Sequence, residues 1–155
     1  MAGRLKRELR QRKPFESVQE EVVLSIERTA GEVTQPLAEV LRGAGLSQSQ
    51  YNVLRILRGA GEEGLACGEI SERMVRREPD LTRLLDRLES RGWVTRARAE
   101  TDRRIVKAYV TEEGLELLAS LDEPIHVSLK RSLAHVPVAR LRELLELLEL
   151  VRDRD

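Results

Sequence analysis

PDLTRLLDRLESRGWVTRARAETDRRIVKAYVT, Pro79 to Thr111, changes its hydrophobic period from helical to strand-like part-way along. Leu81, Leu84, Leu85 and Leu88 recur at three- and four-residue steps, which puts all four on one helical face. The opposite face carries Thr82, Arg83, Asp86, Arg87 and Ser90. Pro79 suits the first helical turn, where no backbone donor is needed, and Gly92 suits the C-terminal cap. WVTRAR and IVKAYV are then short and β-branched, and the charged loop AETDRR between them reads as the tip of an antiparallel hairpin. Alternation places Val106, Ala108 and Val110 on one face of the second strand.

Working outward, Ser47 and Gln50 form a capping box that opens a helix carrying Tyr51, Leu54 and Leu57 on one side. GAGEEG ends that helix, Leu65 to Cys67 is a short apolar piece for which a single strand is one option, and GEISERMV is a two-turn helix expected to bury Ile70 and Met74. RREP is a turn. Upstream, Phe15, Val18, Val22, Ile26, Ala30, Val33, Leu37 and Leu41 keep the helical period, giving a long first helix with a kink expected near Gly31 or Pro36. Downstream, Thr111 caps a helix carrying Leu115, Leu118 and Leu121, with Glu112 and Glu113 in its first turn and a kink or break expected at Pro124. Pro137 starts a last helix with a stripe of Leu141, Leu144, Leu145, Leu148 and Val151. A stripe shows that a face is buried and not by whom, so packing within the subunit stays open beside packing against a partner.

The chain has 155 residues, a length that suits one domain. Charged residues are 35%, and the 27 basic and 27 acidic side chains cancel. That balance hides a segregation. Net charge is +5 over Met1–Lys13, −4 over Pro14–Cys67, +3 over Gly68–Thr111 and −4 over Glu112–Asp155, so local field outweighs net charge. Met1–Lys13 reads as a flexible basic arm with no signal-peptide core, and no apolar run is long enough for a membrane span, which together imply the cytoplasm. Cys67 is the one cysteine, expected as a buried structural thiol because it lies in an apolar piece with no basic neighbour. His126 and His135 lack a metal-ligand pattern around them, so no metal or other cofactor is expected. With no Ser/His/Asp or Cys/His set and no Gly-rich phosphate loop, an enzyme is poorly supported.

Helix, short helix, turn, polar-faced helix and charged hairpin make the plan of a winged helix-turn-helix. A helix fits the major groove, where an arginine offers two parallel donors to guanine. Thr82 and Arg83 stand in the first turns of the helix, where this motif meets base edges. Arginines at the hairpin tip suit a narrow minor groove. Asp102 would repel phosphates unless it holds the arginine two residues on.

These residues resemble the MarR family of bacterial and archaeal transcriptional regulators. The family's wing signature, Asp-x-Arg followed after five residues by Leu-Thr, stands here as Asp102, Arg103, Arg104, then Val110 and Thr111, with Val in place of Leu. DLTRLLDRLESRGWVTR is similar to the family's recognition segment, with Trp93 where an aliphatic residue is usual. The resemblance runs from about Leu46 to Leu121. It implies a mainly α protein with a small β-hairpin (α+β), divided into an arm (1–13), an N-terminal dimerisation helix (14–45), a winged helix-turn-helix domain (46–121) and C-terminal dimerisation helices (122–155). It further implies a homodimer joined through Phe15, Val18, Val22 and the Leu141–Val151 stripe, reading a two-fold-related site on double-stranded DNA. Arg104 would enter the minor groove with Asp102 orienting it and Arg103 beside it, and Thr82 and Arg83 would face the major groove. Arg76, Arg77 and Arg87 are further candidates for phosphate or base contacts, with a plain turn role equally open for Arg76 and Arg77. Family members usually repress, and a small aromatic or anionic effector often releases them from DNA. A winged-helix module that binds proteins instead of DNA is the alternative.

Overall fold

The computed structural model describes residues 4–153. Its elements are α1 (Arg4–Glu8), α2 (Val18–Gly43), α3 (Gln48–Ala60), a 3-10 turn (Gly61–Glu63), β1 (Leu65–Ala66), α4 (Cys67–Arg73), α5 (Leu81–Ser90), β2 (Val94–Arg98), β3 (Val106–Val110), α6 (Glu112–Ser132) and α7 (Val138–Arg152). The chain divides into two compact units, Leu37–Ser128 and the segments on either side of it. The mainly helical plan with a small hairpin is as the sequence implied, and the apolar piece at Leu65 supplies a short strand, ending at Ala66, that joins the hairpin. The three strands form an antiparallel sheet in the order β1-β3-β2.

The Leu37–Ser128 unit is built around a core that the sequence periods anticipated. Tyr51, Leu54 and Leu57 of α3 are buried together with Leu81, Leu84, Leu85 and Leu88 of α5, Ile70, Val94, Ala108 and Leu118. Each fully buried side chain of this size contributes about 1.5–3 kcal/mol of hydrophobic stabilisation. Val53, off the predicted stripe, is fully buried as well.

Two helices end in the same device. At α2, Gly45 has φ +72, its N–H donates to Arg42 O at 3.0 Å, and Leu46 N–H donates to Leu41 O at 2.9 Å. At α5, Gly92 has φ +77, its N–H donates to Glu89 O at 2.9 Å, and Trp93 N–H donates to Leu88 O at 3.1 Å. In both, a left-handed glycine satisfies carbonyls that the helix leaves open. The Ser47–Gln50 capping box opens α3 as expected, with both reciprocal bonds in place.

Several expectations need correction. Part of the basic arm is helical: Arg4–Glu8 forms α1, with Leu5 buried and an Arg4–Glu8 ion pair at 2.7 Å, while residues 1–3 lie outside the described ones. The long first helix starts at Val18, not Phe15, which lies half-buried in the segment before it. Pro79 sits before α5, because the Asp80 side chain takes the N-cap position and accepts from Arg83 N–H at 3.0 Å. Pro124 does not break α6, which runs unbroken from Glu112 to Ser132. α4 begins at Cys67, one residue before the expected Gly68, and Met74 is its extended cap, half-buried beside the fully buried Ile70.

Cys67 is exposed, against the expectation of a buried thiol. Its apolar neighbours do the burying: Leu65 points into the core from β1 and Ile70 from α4, while the first position of α4 faces solvent.

In the second unit no residue of α7 is buried. Leu141 and Leu148 are half-buried, and Leu144, Leu145 and Val151 are exposed, with Leu145 at 59%. Val22 and Val18 are also exposed, Val18 at 73%. The chain alone therefore leaves much of these apolar faces uncovered. Among the described residues no helix is long and apolar enough to cross a membrane, and no cluster of potential metal ligands occurs.

Candidate nucleic-acid interface

Burial of the α5 leucines turns the rest of that helix outward. Thr82, Arg83, Asp86 and Arg87 are all exposed on the face opposite the core. A polar cleft of about 290 Å³ lies between the start of α3 and the start of α5, lined by Ser47, Ser49, Gln50, Glu78, Asp80, Arg83, Leu84 and Arg87. Two helix N-termini meet there, so peptide dipoles add positive potential to that of the two arginines, and Glu78 and Asp80 offset part of it. Arg76 and Arg77 are exposed in the turn before α5. That turn is tethered to α3 by a 2.9 Å bond from Val75 N–H to the Asn52 side-chain oxygen.

β2 and β3 pair in register from Val94↔Val110 to Arg98↔Val106, and β1 adds Leu65↔Ala108 and Ala66↔Lys107 on the other side of β3. This face of β3 is covered toward its base: Ala108 is buried and Val110 half-buried, whereas Val106, on the same face near the tip, is 49% exposed. The tip is closed by Ala99 N–H to Ile105 O at 2.8 Å and by a turn bond from Ile105 N–H to Asp102 O at 2.9 Å.

Asp102 shapes this tip with its side chain too. Its carboxylate accepts from Arg104 N–H at 3.0 Å, from Arg104 Nε at 3.1 Å and from Arg104 Nη2 at 3.0 Å. The first bond is an Asx turn and the other two are a fork on a carboxylate. The Arg104 hydrogen bonds, from the side chain first and the backbone second, hold the Asp102 carboxyl below the usual carboxylate range. The brace expected of Asp102 is therefore present in the free protein, and the Arg104 side chain remains 91% exposed. Arg103 beside it is exposed. Among the described residues, Arg76, Arg77, Arg83, Arg87 and Arg103 form no ion pair.

Known proteins with this arrangement are numerous. The sequence profile of the MarR family matches residues 46–106. A MarR transcription factor from Planctomyces limnophilus is 40% identical, with 88% of this chain and 98% of that one covered and a TM-score of 0.67. The chain belongs to the MarR family. The HTH-type transcriptional regulator YfiV of Bacillus subtilis (strain 168) is 40% identical over 88 residues, 57% of this chain and 54% of its own. The chain spans about half the length of the first curated relatives it matches. Its fold is also that of Sco3205, a MarR family transcriptional regulator from Streptomyces coelicolor in complex with DNA, at 23% identity, 91% and 90% coverage and a TM-score of 0.78.

Within this MarR-family chain, the two departures from the wing and helix pattern are accommodated locally. Val110, in place of Leu, is half-buried and pairs with Val94. Trp93, in place of an aliphatic residue, is half-buried with the Arg91 guanidinium 4.3 Å from its ring centroid, a cation-π contact that covers the ring. Thr111 ties the end of the hairpin to the start of α6. Its N–H donates to Trp93 O at 3.0 Å, its hydroxyl donates to Gly92 O at 2.6 Å, and the hydroxyl accepts from Gly114 N–H at 3.1 Å.

Arg96 on β2 escaped the sequence reading. Its side chain bonds Glu89 and Asp86 of α5, and these two carboxylates raise its pKa further, Glu89 more than Asp86. The signal was available: alternation from the buried Val94 puts Arg96 on the helix-facing side of β2, opposite two acids one turn apart on α5.

Proposed function

We propose that this protein is a sequence-specific regulator of transcription that binds double-stranded DNA as a homodimer. α5 lies in the major groove with Thr82 and Arg83 toward base edges, and Arg104 enters the adjoining minor groove. Arg76, Arg77, Arg87 and Arg103 meet phosphates. The observation that carries this reading is the Asp102–Arg104 brace: it holds an exposed arginine in one orientation at a hairpin tip without burying it. A solvated tip has no need of such an acid.

Homodimerisation is supported by the uncovered apolar side chains of α2 and α7, among them Val18, Leu145 and Leu150, each more than half exposed in the single chain. Faces of this kind mark protein interaction sites. Phe15, Val18, Val22, Leu141, Leu144, Leu145, Leu148 and Val151 are the assigned contact residues. A two-fold dimer reads half-sites spaced by about 10 bp. Repression by occupancy, with release by a small aromatic or anionic effector, completes the proposal.

Selection of bound sequences from a random duplex pool tests it. The expected product is a pseudo-palindrome, and Arg104→Ala should weaken binding to it by about 1–3 kcal/mol, the range of a good groove contact. No enriched sequence, or an unchanged affinity in the variant, refutes the assignment. A sedimentation mass of one chain at micromolar concentration refutes the dimer.

A further inference from the structure

Arg96 makes the densest set of polar contacts between the two parts assigned to DNA. Its backbone N–H donates to Glu89 Oε1 at 3.1 Å, its Nε to Glu89 Oε2 at 3.0 Å, and its Nη2 to Glu89 Oε2 at 2.6 Å and Asp86 Oδ1 at 2.5 Å. One side chain thus joins β2, the first strand of the wing, to two successive turns of α5. Other ion pairs in the described residues run within one helix, within the wing tip, or between α3 and α6. The Arg96 side chain is only 26% exposed, whereas that of Arg104 is 91% exposed, so the two arginines have different work. Asp86 lies on the exposed face of α5 a turn beyond Thr82 and Arg83, and Arg96 neutralises a carboxylate that would otherwise face DNA phosphates bare.

We propose that Arg96 is a positioning residue that sets the angle between the wing and α5, so that Arg104 and the Thr82–Arg83 pair reach their grooves together. This rests on the DNA-binding reading above. The lever makes the angle matter. A strand rises about 3.3 Å per residue, so the wing tip stands on the order of 15 Å from the Arg96 anchor. A swing of roughly 10° there displaces the tip by about 2–3 Å, nearly half of the minor groove's width of about 6 Å. A guanidinium bonded to two carboxylates restricts that swing more than apolar packing, which has no direction of its own. Lysine cannot replace it, because a single ammonium lacks the planar fork that spans both acids.

The test is a double-mutant cycle on affinity for the selected duplex, using wild type, Arg96→Met, Arg104→Ala and the pair. Arg104→Ala alone should weaken binding by roughly tenfold. In the Arg96→Met background the same change should weaken it by less than about threefold, because a wing aimed wrongly has already lost the groove. Groove-specific footprints give a second readout: Arg96→Met should lose minor-groove protection at the wing and keep guanine N7 protection under α5. Equal factors in both backgrounds, or loss of both protections together, overturn the positioning role and leave Arg96 as a stabilising contact only. No effect of Arg104→Ala in wild type would instead sink the DNA reading itself, and the strut with it. If Arg96→Met fails to melt cooperatively, the cycle runs with Arg96→Lys, which keeps the charge and the stem; there too, equal factors overturn the proposal.

Discussion

Replacing Gly114 by alanine in the first turn of α6 sets two ordinary effects against each other, and the geometry decides which wins. Alanine in place of glycine favours a helix by up to about 1 kcal/mol. At this position, however, the new Cβ would stand 2.5 Å from the Trp93 carbonyl oxygen and 2.8 Å from Val110 Cγ2. A carbon and a carbonyl oxygen ordinarily approach no closer than about 3.3 Å, so one backbone must retreat by roughly 0.8 Å. Neither retreats freely. Trp93 O accepts from Thr111 N–H at 3.0 Å, and the Thr111 hydroxyl bridges Gly92 O and Gly114 N–H. Overpacking of this kind costs about 1–3 kcal/mol, and weakening one backbone bond adds about 0.5–1.5 kcal/mol. Net destabilisation should be about 1–3 kcal/mol, a fall in Tm of roughly 3–10 °C for a chain of this length. Thermal and urea unfolding at a fixed protein concentration, followed by the emission of Trp93, the sole tryptophan, measures it at the joint itself. Gly59→Ala is the matched control: Gly59 lies in the last turn of α3 with no atom within 4 Å of its Cβ position, so it should gain about 0.4–1 kcal/mol. A Gly114→Ala protein at least as stable as wild type, or both variants shifting in the same direction, would refute this account of the wing joint.

Two further outcomes follow from side chains already described. Because Arg104 lowers the Asp102 pKa in the folded state, the stabilisation from this pair is present above the unfolded carboxyl's pKa and is lost as pH falls through the folded one. The brace is thus intact throughout the neutral range. An NMR titration should place the Asp102 midpoint below the ordinary carboxylate value and return it upward in Arg104→Ala; coincident midpoints would show that the fork does not persist in solution. Cys67, exposed at the start of α4, should react fully with a disulfide reagent in the native protein. Reaction only after unfolding would restore the buried thiol that its apolar neighbours suggest.

What could be read from the residues was what is decided within a few positions along the chain. The leucine face of α5, the Ser47–Gln50 box and the glycine at the end of α5 each depend on spacing and on local backbone bonds, and each stands where its pattern put it. The Asp102–Arg104 brace is equally local, two residues apart, and chemistry alone suggested it. Features that failed to show depend on which of several local options the tertiary structure selects. Asp80 outcompeted Pro79 for the start of α5 because its carboxylate satisfies an orphan N–H, which a proline ring cannot do. Cys67 shares its segment with Leu65, and a one-residue change from strand to helix turned it outward. Arg96 needed the pairing of β2 with α5, ten residues from Asp86 along the chain, before its partners were visible.

The cancelled net charge has a physical explanation in how the acids of Gly68–Thr111 are employed. Glu69 accepts the backbone N–H of Ala66 at the start of α4, and Asp80 does the same for Arg83 at the start of α5. Asp86 and Glu89 hold Arg96, and Asp102 holds Arg104. Five of the segment's eight acids are therefore bound up in the shape of the helix-turn-helix and its wing. Much of their charge is compensated at short range, by helix N-termini or by a guanidinium, although Asp86 and Glu89 share the one guanidinium of Arg96 and keep a net charge of −1 with it. Among the described residues, Arg76, Arg77, Arg83, Arg87 and Arg103 have no carboxylate partner and keep theirs, as do Arg73, Arg91, Arg98 and Lys107. A balanced count of residues is thereby converted into an unbalanced surface: the acids hold the shape, and the cations left over include five that the proposed function sets against DNA.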